Sequence, residues 1–252
     1  MTENPYEEPG TVRVSVCMAT YRGARYVGEQ LESILAQLGA NDEVVVVDDA
    51  SPDETVAVIK GLQDPRIRIF EVAKNQGYVR SFEQAVLASH GDFIFLADQD
   101  DVWMPGRLEA MLSALEDTDV VASNFAVLGG GSRNGVPELA SADSSRYLRN
   151  ILGVVIGYRP YYGCAMAMTR RQAEIFTPIP HYLVESHDLW MALCGNIGKS
   201  MTHLQEPTLW RRLHADNVTP RGWRSLGVIL RARIMILRAL VEAARRTKAA
   251  RT

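Results

Sequence analysis

Two hydrophobic periods alternate along the first hundred residues. Val12 to Ala19 reads as a strand, and between Tyr26 and Leu38 the apolar residues Val27, Leu31, Ile34, Leu35 and Leu38 recur at helical spacing. After the stop at Gly39-Ala40-Asn41-Asp42 comes Val44-Val45-Val46-Val47, an apolar run of strand length that predicts burial on both faces. Ser51, Pro52 and Glu54 have the form of an N-cap, a first helical position and a capping box, predicting a helix to about Leu62. A strand from Ile67 to Val72, a turn at Asn75-Gln76-Gly77 and a helix from Tyr78 to Ser89 follow. The apolar run Phe93-Ile94-Phe95-Leu96-Ala97 then ends abruptly in Asp98-Gln99-Asp100-Asp101. Such alternation predicts a mostly parallel sheet with helices on both faces.

The second half is less regular. A helix is expected from Pro105 to about Leu115, a strand from Asp119 to Phe125, and a Gly-, Ser- and Asn-rich loop over the site from Leu128 to Arg146. Gly163 to Met168 reads as a strand of small residues, and a helix after Thr169 ends at Pro178-Ile179-Pro180. The polar stretch His181 to Asp188 leads into an apolar helix over 189–194, and 201–213 suggests two short strands broken near Pro207. Apolar residues at Trp223, Leu226, Leu230, Ile234, Leu237 and Val241, with arginines every seven residues from Arg224 to Arg245, predict an amphipathic helix. The expected division is a disordered 1–11, an α/β domain over 12–220 and a C-terminal helix over 221–252.

Composition narrows the class. Of the 252 residues 47% are hydrophobic and 23% charged, as in soluble globular proteins. The N-terminus lacks the apolar core of a signal peptide, and no apolar stretch approaches the ~18 residues a bilayer requires. Cys17, Cys164 and Cys194 show no C-x-x-C spacing and read as buried thiols in a reducing compartment, so a cytoplasmic location is expected. Net charge is −3, yet residues 205–252 hold eleven basic against three acidic side chains, leaving an acidic body. That body argues against nucleic acid as a partner. The basic helix is expected to pack on the domain; the alternative is peripheral contact with the inner face of the cell membrane.

Chemistry concentrates at the acidic strand end. In extended chain Asp98 and Asp100 point the same way, and two carboxylates aimed together repel unless a hard divalent cation lies between them. Asp48-Asp49 ends a second strand on the same rim, where open α/β sheets bind ligands. A dinucleotide-binding dehydrogenase is disfavoured, because the first strand–helix turn, Ala19-Thr20-Tyr21-Arg22-Gly23, holds one glycine rather than three. Asp98-Gln99-Asp100-Asp101-Val102 superficially resembles the nucleophile loop of the haloacid dehalogenase superfamily. There, however, the loop follows the first core strand, whereas here three strand–helix units precede it. Sugar transfer from a nucleotide diphosphate asks for a nucleotide pocket, a metal for the leaving diphosphate, a carboxylate base and a sugar pocket. The rim supplies the first two.

Several stretches, in order, carry a resemblance: Val14 to Tyr21, Val46 to Thr55, Asn75-Gln76-Gly77 with Ser81 to Ala85, and Ala97 to Trp103. Gly163 to Met166, His187-Asp188-Leu189-Trp190 and Arg212 to Val218 complete it. Over about residues 12 to 220 the chain resembles the inverting family 2 glycosyltransferases of GT-A fold, especially their rhamnosyltransferase-like branch. The resemblance implies a nucleotide pocket at Ala19, Thr20 and Tyr21, with Asp49 or Asp48 accepting a hydrogen bond from the base and Arg80 near the nucleotide. It implies Asp98 at the ribose or metal, Asp100 as ligand of Mg2+ or Mn2+, His214 at the metal or diphosphate, and Asp188 as catalytic base. Asp101 receives no role.

Blander alternatives stand beside these. Asp188 alone would N-cap the following helix, His187 would simply pack, and Trp103 and Trp190 would be core. Gly163-Cys164 reads as a place needing small side chains near the donor. Alanine at 97 and serine at 81 depart from the family pattern without touching a catalytic role. The implied donor is dTDP-rhamnose or a UDP-hexose, and the implied acceptor a cell-surface glycan, such as an O-antigen precursor, or a lipid-linked one. A binding or partner subunit without activity is the alternative function.

Overall fold

A computed structural model describes residues 13–132, 135–159, 161–214 and 225–251. The expected disordered 1–11, and His214's sequel Ala215 to Arg224, lie outside the described residues. The chain runs β1 (Val14–Thr20), α1 (Val27–Leu35), β2 (Glu43–Asp48), α2 (Thr55–Gly61), β3 (Ile67–Glu71), α3 (Tyr78–Ala88) and β4 (Phe93–Asp98). Next come β5 (Val102–Trp103), α4 (Arg107–Leu115), β6 (Val120–Val127), α5 (Tyr147–Ile156), β7 (Met166–Thr169), α6 (Arg170–Phe176), α7 (His187–Gly198), β8 (Met201–Arg211) and α8 (Leu226–Ala249). The eight strands form one sheet in the order β3-β2-β1-β4-β7-β6-β8-β5. Strands β1 to β4 are parallel, β7 is antiparallel to both β4 and β6, and β8 runs parallel to β6.

The apolar runs are explained by this two-sided cover. Val45 and Val47 of β2, with Ile94 and Leu96 of β4, enter the core beneath α3, α5, α6, α7 and α8. Their neighbours Val44, Val46, Phe95 and Ala97 enter the opposite core, beneath α1, α2 and α4. All eight are fully buried, and each Val, Ile, Leu or Phe so buried contributes about 1.5–3 kcal/mol. The mixed, mostly parallel α/β sheet expected from the sequence is the one observed.

Local expectations fail where tertiary contacts recruit the side chains. The capping box does not form: α2 starts at Thr55, and Ser51 instead accepts a hydrogen bond from the Arg22 N–H at 3.0 Å. Strand β8 is continuous through Pro207, with only a register shift opposite Asn124. Gly163 to Ala165 is a 3-10 turn rather than strand. Helix α5, unassigned in the sequence reading, packs Asn150, Gly153 and Val154 inward. The loop expected over the site is anchored at Leu139, while most of its other described residues are exposed. Leu139 is buried and exchanges two hydrogen bonds with the Asn124 amide, at 2.8 and 2.9 Å.

Helix α8 packs on α5, α6 and α7 through Ile236, Ala239 and Ala243. Arg246 donates to the carbonyls of Ile175 and Pro178 and lies over Trp190. Among the described residues no helix is long and apolar enough to cross a membrane.

Candidate active site

Parallel pairing brings the two acidic strand ends to either side of β1. Thr20 is in register with Asp48 and Ala19 with Asp98. The two ends then differ in how their carboxylates are occupied. Asp48 accepts from the Thr20 hydroxyl at 3.1 Å and the Ser51 N–H at 2.8 Å. Asp49 accepts from the N–H groups of Gln76 and Gly77 at 2.7 and 2.9 Å, while its carbonyl receives the Asn75 amide. Asn75-Gln76-Gly77 is therefore a loop docked on Asp49, and Gly77 takes the positive φ of 88° that glycine adopts without strain.

At the β4 end the strand stops at Asp98 and the chain turns directly after it. Alternation of side chains holds only while the chain is extended. Past the turn, Asp101 swings under the sheet end beside Asp98 and Cys164, their ligand atoms all within 4.8 Å of one another. Asp100 pairs with His214 Nε2 at 2.6 Å, and its charge still raises Asp98 and Asp101. The 212–214 segment latches this loop. The Arg212 N–H donates to Asp101 Oδ1 at 3.1 Å, its Nε donates to the Asp100 carbonyl at 3.0 Å, and His214 stacks on Tyr26 at 5.0 Å.

Gln99, between the acids, was missed by the sequence reading. Its amide brackets the Tyr21 backbone, accepting from the N–H and donating to the carbonyl, both at 2.9 Å. The approach is so close that a Cβ on Gly23 would fall 2.2 Å from Gln99 Oε1. Gln30 adds a hydrogen bond to the Asp98 carbonyl at 2.8 Å. Tyr21, thus held, presents a ring that is 39% exposed at the rim.

Asp188 lies in the first turn of α7, whose N-cap residue is Ser186 in the left-handed region at φ 66°. Asp188 is therefore not the cap. Its Oδ1 accepts the adjacent Leu189 N–H, at 2.7 Å. Burial pushes its carboxyl up to about 7, and the charge of Asp98 adds to that. Burial likewise raises Asp98 and Asp101, each repelled further by the neighbouring acids.

Arg211, also missed, is the cation felt at Asp98, Asp101 and Asp188, where it works against those rises. Its guanidinium lies 4.4 Å over Tyr162 and 5.4 Å over Phe125. The pair Arg211-Arg212 stood beside the matched His214 in the sequence, but nothing marked the first arginine as inward-facing.

Other expectations are redirected. Arg80 is the residue expected near the nucleotide. It clamps the loop before α7, donating to Glu83 and to the carbonyls of Ile179, Pro180 and Leu183 at 2.6–3.1 Å. Gly163 is small because the His187 ring fills its side-chain space, with Nε2 2.6 Å from a Cβ built there. His187 itself is buried, stacked on Phe82 at 4.4 Å. Trp103 and Trp190 are core. Arg107, buried beneath the site, donates to the Cys164 carbonyl at 2.8 Å and fixes that turn.

The acidic cluster suits a divalent cation. Asp101 Oδ2 is buried without a hydrogen-bond partner, and carboxyls raised by burial and mutual repulsion are relieved by bound positive charge.

The family model for glycosyl transferase family 2 matches residues 15–176. The chain belongs to that family. A stretch of 114 residues is 36% identical to the succinoglycan biosynthesis protein ExoO of Rhizobium meliloti, covering 45% of this chain and 32% of that protein. The chain thus spans about a third of the length of such curated relatives. Solved structures share the fold. Staphylococcus aureus TarS (1–349) in complex with UDP-GlcNAc aligns at a TM-score of 0.69 with 17% identity, over 90% of this chain and 66% of that one. Glucosyl-3-phosphoglycerate synthase of Mycobacterium tuberculosis, in complex with Mn2+, UDP and its product, aligns at 0.61 with 18% identity, over 92% and 80%. The sheet of this family 2 chain is thus the GT-A sheet expected from its sequence.

Proposed function

We propose that the chain transfers a sugar from a nucleotide-diphosphate donor to a hydroxyl of a glycan or lipid-linked acceptor, with inversion at the anomeric carbon. The observation that carries this reading is Asp188: a carboxyl poised at about 7, within the field of the acidic strand end, with a local hydrogen bond. A base tuned near neutrality takes a hydroxyl proton most effectively. In a single displacement the acceptor oxygen attacks the anomeric carbon opposite the leaving diphosphate, and Asp188 receives its proton.

The remaining residues position the partners. Tyr21 offers its ring to the base, with Ala19 and Thr20 beneath, while Asp48 and Asp49 hold the surrounding loops. Asp98 and Asp101, with Asp100 and His214 beside them, would hold Mg2+ or Mn2+. Such an ion supplies Lewis-acid stabilisation of the departing diphosphate. Arg211 adds fixed positive charge nearby, and Tyr162 and Phe125 present aromatic faces beside it.

The donor proposed first is dTDP-rhamnose, from the family branch, with UDP-hexoses next; the UDP-bound structural neighbours favour the latter. A cell-surface polysaccharide acceptor is in keeping with the succinoglycan relative. A thermal-shift panel of dTDP-rhamnose, UDP-glucose and UDP-GlcNAc, each with and without Mn2+, tests the reading. Metal-dependent stabilisation by one donor is expected, and stabilisation by none overturns it.

A further inference from the structure

Among the described residues, two exposed apolar stripes lie on α5 and α8. On α5, Leu148, Leu152 and Ile156 recur every four residues and point outward, Leu148 being 84% exposed. On α8, Leu230, Ile234, Leu237 and Val241 form a second stripe, opposite the Ile236, Ala239 and Ala243 face that packs on the domain. The two helices meet where Gly157, just past α5, lies so close to Arg233 that a Cβ there would fall 2.0 Å from the guanidinium. Monomeric soluble proteins seldom expose contiguous apolar surface on this scale without using it.

Charge identifies the occupant. On α5 and α8 Arg149, Arg231 and Arg238 are exposed, as is Arg146 just before α5, and Glu242 at the end of the α8 stripe is paired with Arg245 and Arg246. The nearby Asp143 is already paired with Arg146, Arg149 and Arg159. A second copy of the chain docked face to face would set exposed arginines against each other, with the two nearby acids, Asp143 and Glu242, already paired within the chain. An anionic bilayer surface accepts both features, taking the aliphatic stripes between its headgroups and the arginines against its phosphates.

We infer that α5 and α8 together form a docking face for an anionic membrane surface. The inference is independent of which sugar the chain transfers. It differs from a single amphipathic tail, because α5 contributes its own apolar stripe and α8 stays packed on the domain.

Vesicle co-sedimentation of the full chain tests it. Phosphatidylcholine vesicles containing about one-third phosphatidylglycerol should bind the protein, pure phosphatidylcholine should not, and salt should weaken the binding. L152Q with L237Q should lower the partition coefficient about tenfold, leaving thermal midpoint and donor binding unchanged. R149E with R231E provides a second variant that leaves the apolar stripes intact, and it should also release the protein from the anionic vesicles. Equal binding to both vesicle types, or to neither, overturns the proposal. So does a dimer in analytical ultracentrifugation that the same substitutions dissociate, which would assign the face to a second copy.

Discussion

The two acidic strand ends flank the same strand and carry the same residue type, yet they do opposite work. At β2, Asp48 and Asp49 have each oxygen met by a backbone N–H or a hydroxyl, and the loops they gather form a rigid wall. At the β4 end and on α7, Asp101 and Asp188 each accept a backbone N–H on Oδ1, Asp101 Oδ2 has no partner among the described residues, and burial raises Asp98, Asp101 and Asp188. A carboxylate with its partners in place is scaffold. One buried without them holds strained charge that a cation or a substrate proton can relieve.

Four measurements would break or sharpen that contrast. The largest effect is expected at Asp188. D188N should cut kcat by about 10²–10⁴-fold while donor binding and thermal midpoint hold, as loss of a general base does. Unchanged kcat would leave the site with no assigned base. Next, D49A should act on stability, not chemistry. It strands two loop N–H groups and should cost about 3 kcal/mol in urea unfolding, with nucleotide affinity falling as the loop loosens.

The third is a pH test on metal-free protein. Because Asp98, Asp101 and Asp188 titrate higher folded than unfolded, the folded state binds more protons above the ordinary carboxylate range. Stability should therefore rise as pH falls from 8 to 6.5, by at most about 1.4 kcal/mol per pH unit for each titrating carboxyl. Below 6.5 the rise should continue without steepening, because two of the three protons gained are offset. His187 and His203, which burial holds neutral down to about 3 and about 4, favour proton uptake by the unfolded chain. Mn2+ should remove the rise between 8 and 6.5; a slope unaffected by Mn2+ would place the ion elsewhere.

The smallest effect belongs to the bracket joining the two ends. Q99A removes two exposed hydrogen bonds to the Tyr21 backbone, worth about 1 kcal/mol together, and should raise the donor KM a few-fold with kcat nearly intact. A comparable loss in kcat would mean that Tyr21 orients the reacting carbon as well as the nucleotide.

Much of this was legible in the chain. The apolar runs at β2 and β4 marked fully buried strands, because only a two-sided cover accepts four consecutive valines. What the sequence obscured was any side chain with two plausible partners. Ser51 had the form of a helix cap but holds the Arg22 backbone. Arg80 is the residue expected near the nucleotide and holds the loop before α7. Local pattern ranks nearby partners, and in both cases a distant backbone group won.

The sequence by itself determined the alternating sheet, the family, and the presence of acids at two strand ends, since these follow from periodicity and ordered motifs. Only the tertiary structure decided which acids carry unrelieved charge. That property depends on how many donors reach each oxygen, and several of those donors come from residues 27 to 111 positions away. The turn after Asp98 brought Asp101 beneath the strand end, and the packing of α7 set Asp188 in the field of Asp98. Burial and convergence, neither of which has a sequence period, turned a row of aspartates into a candidate active site.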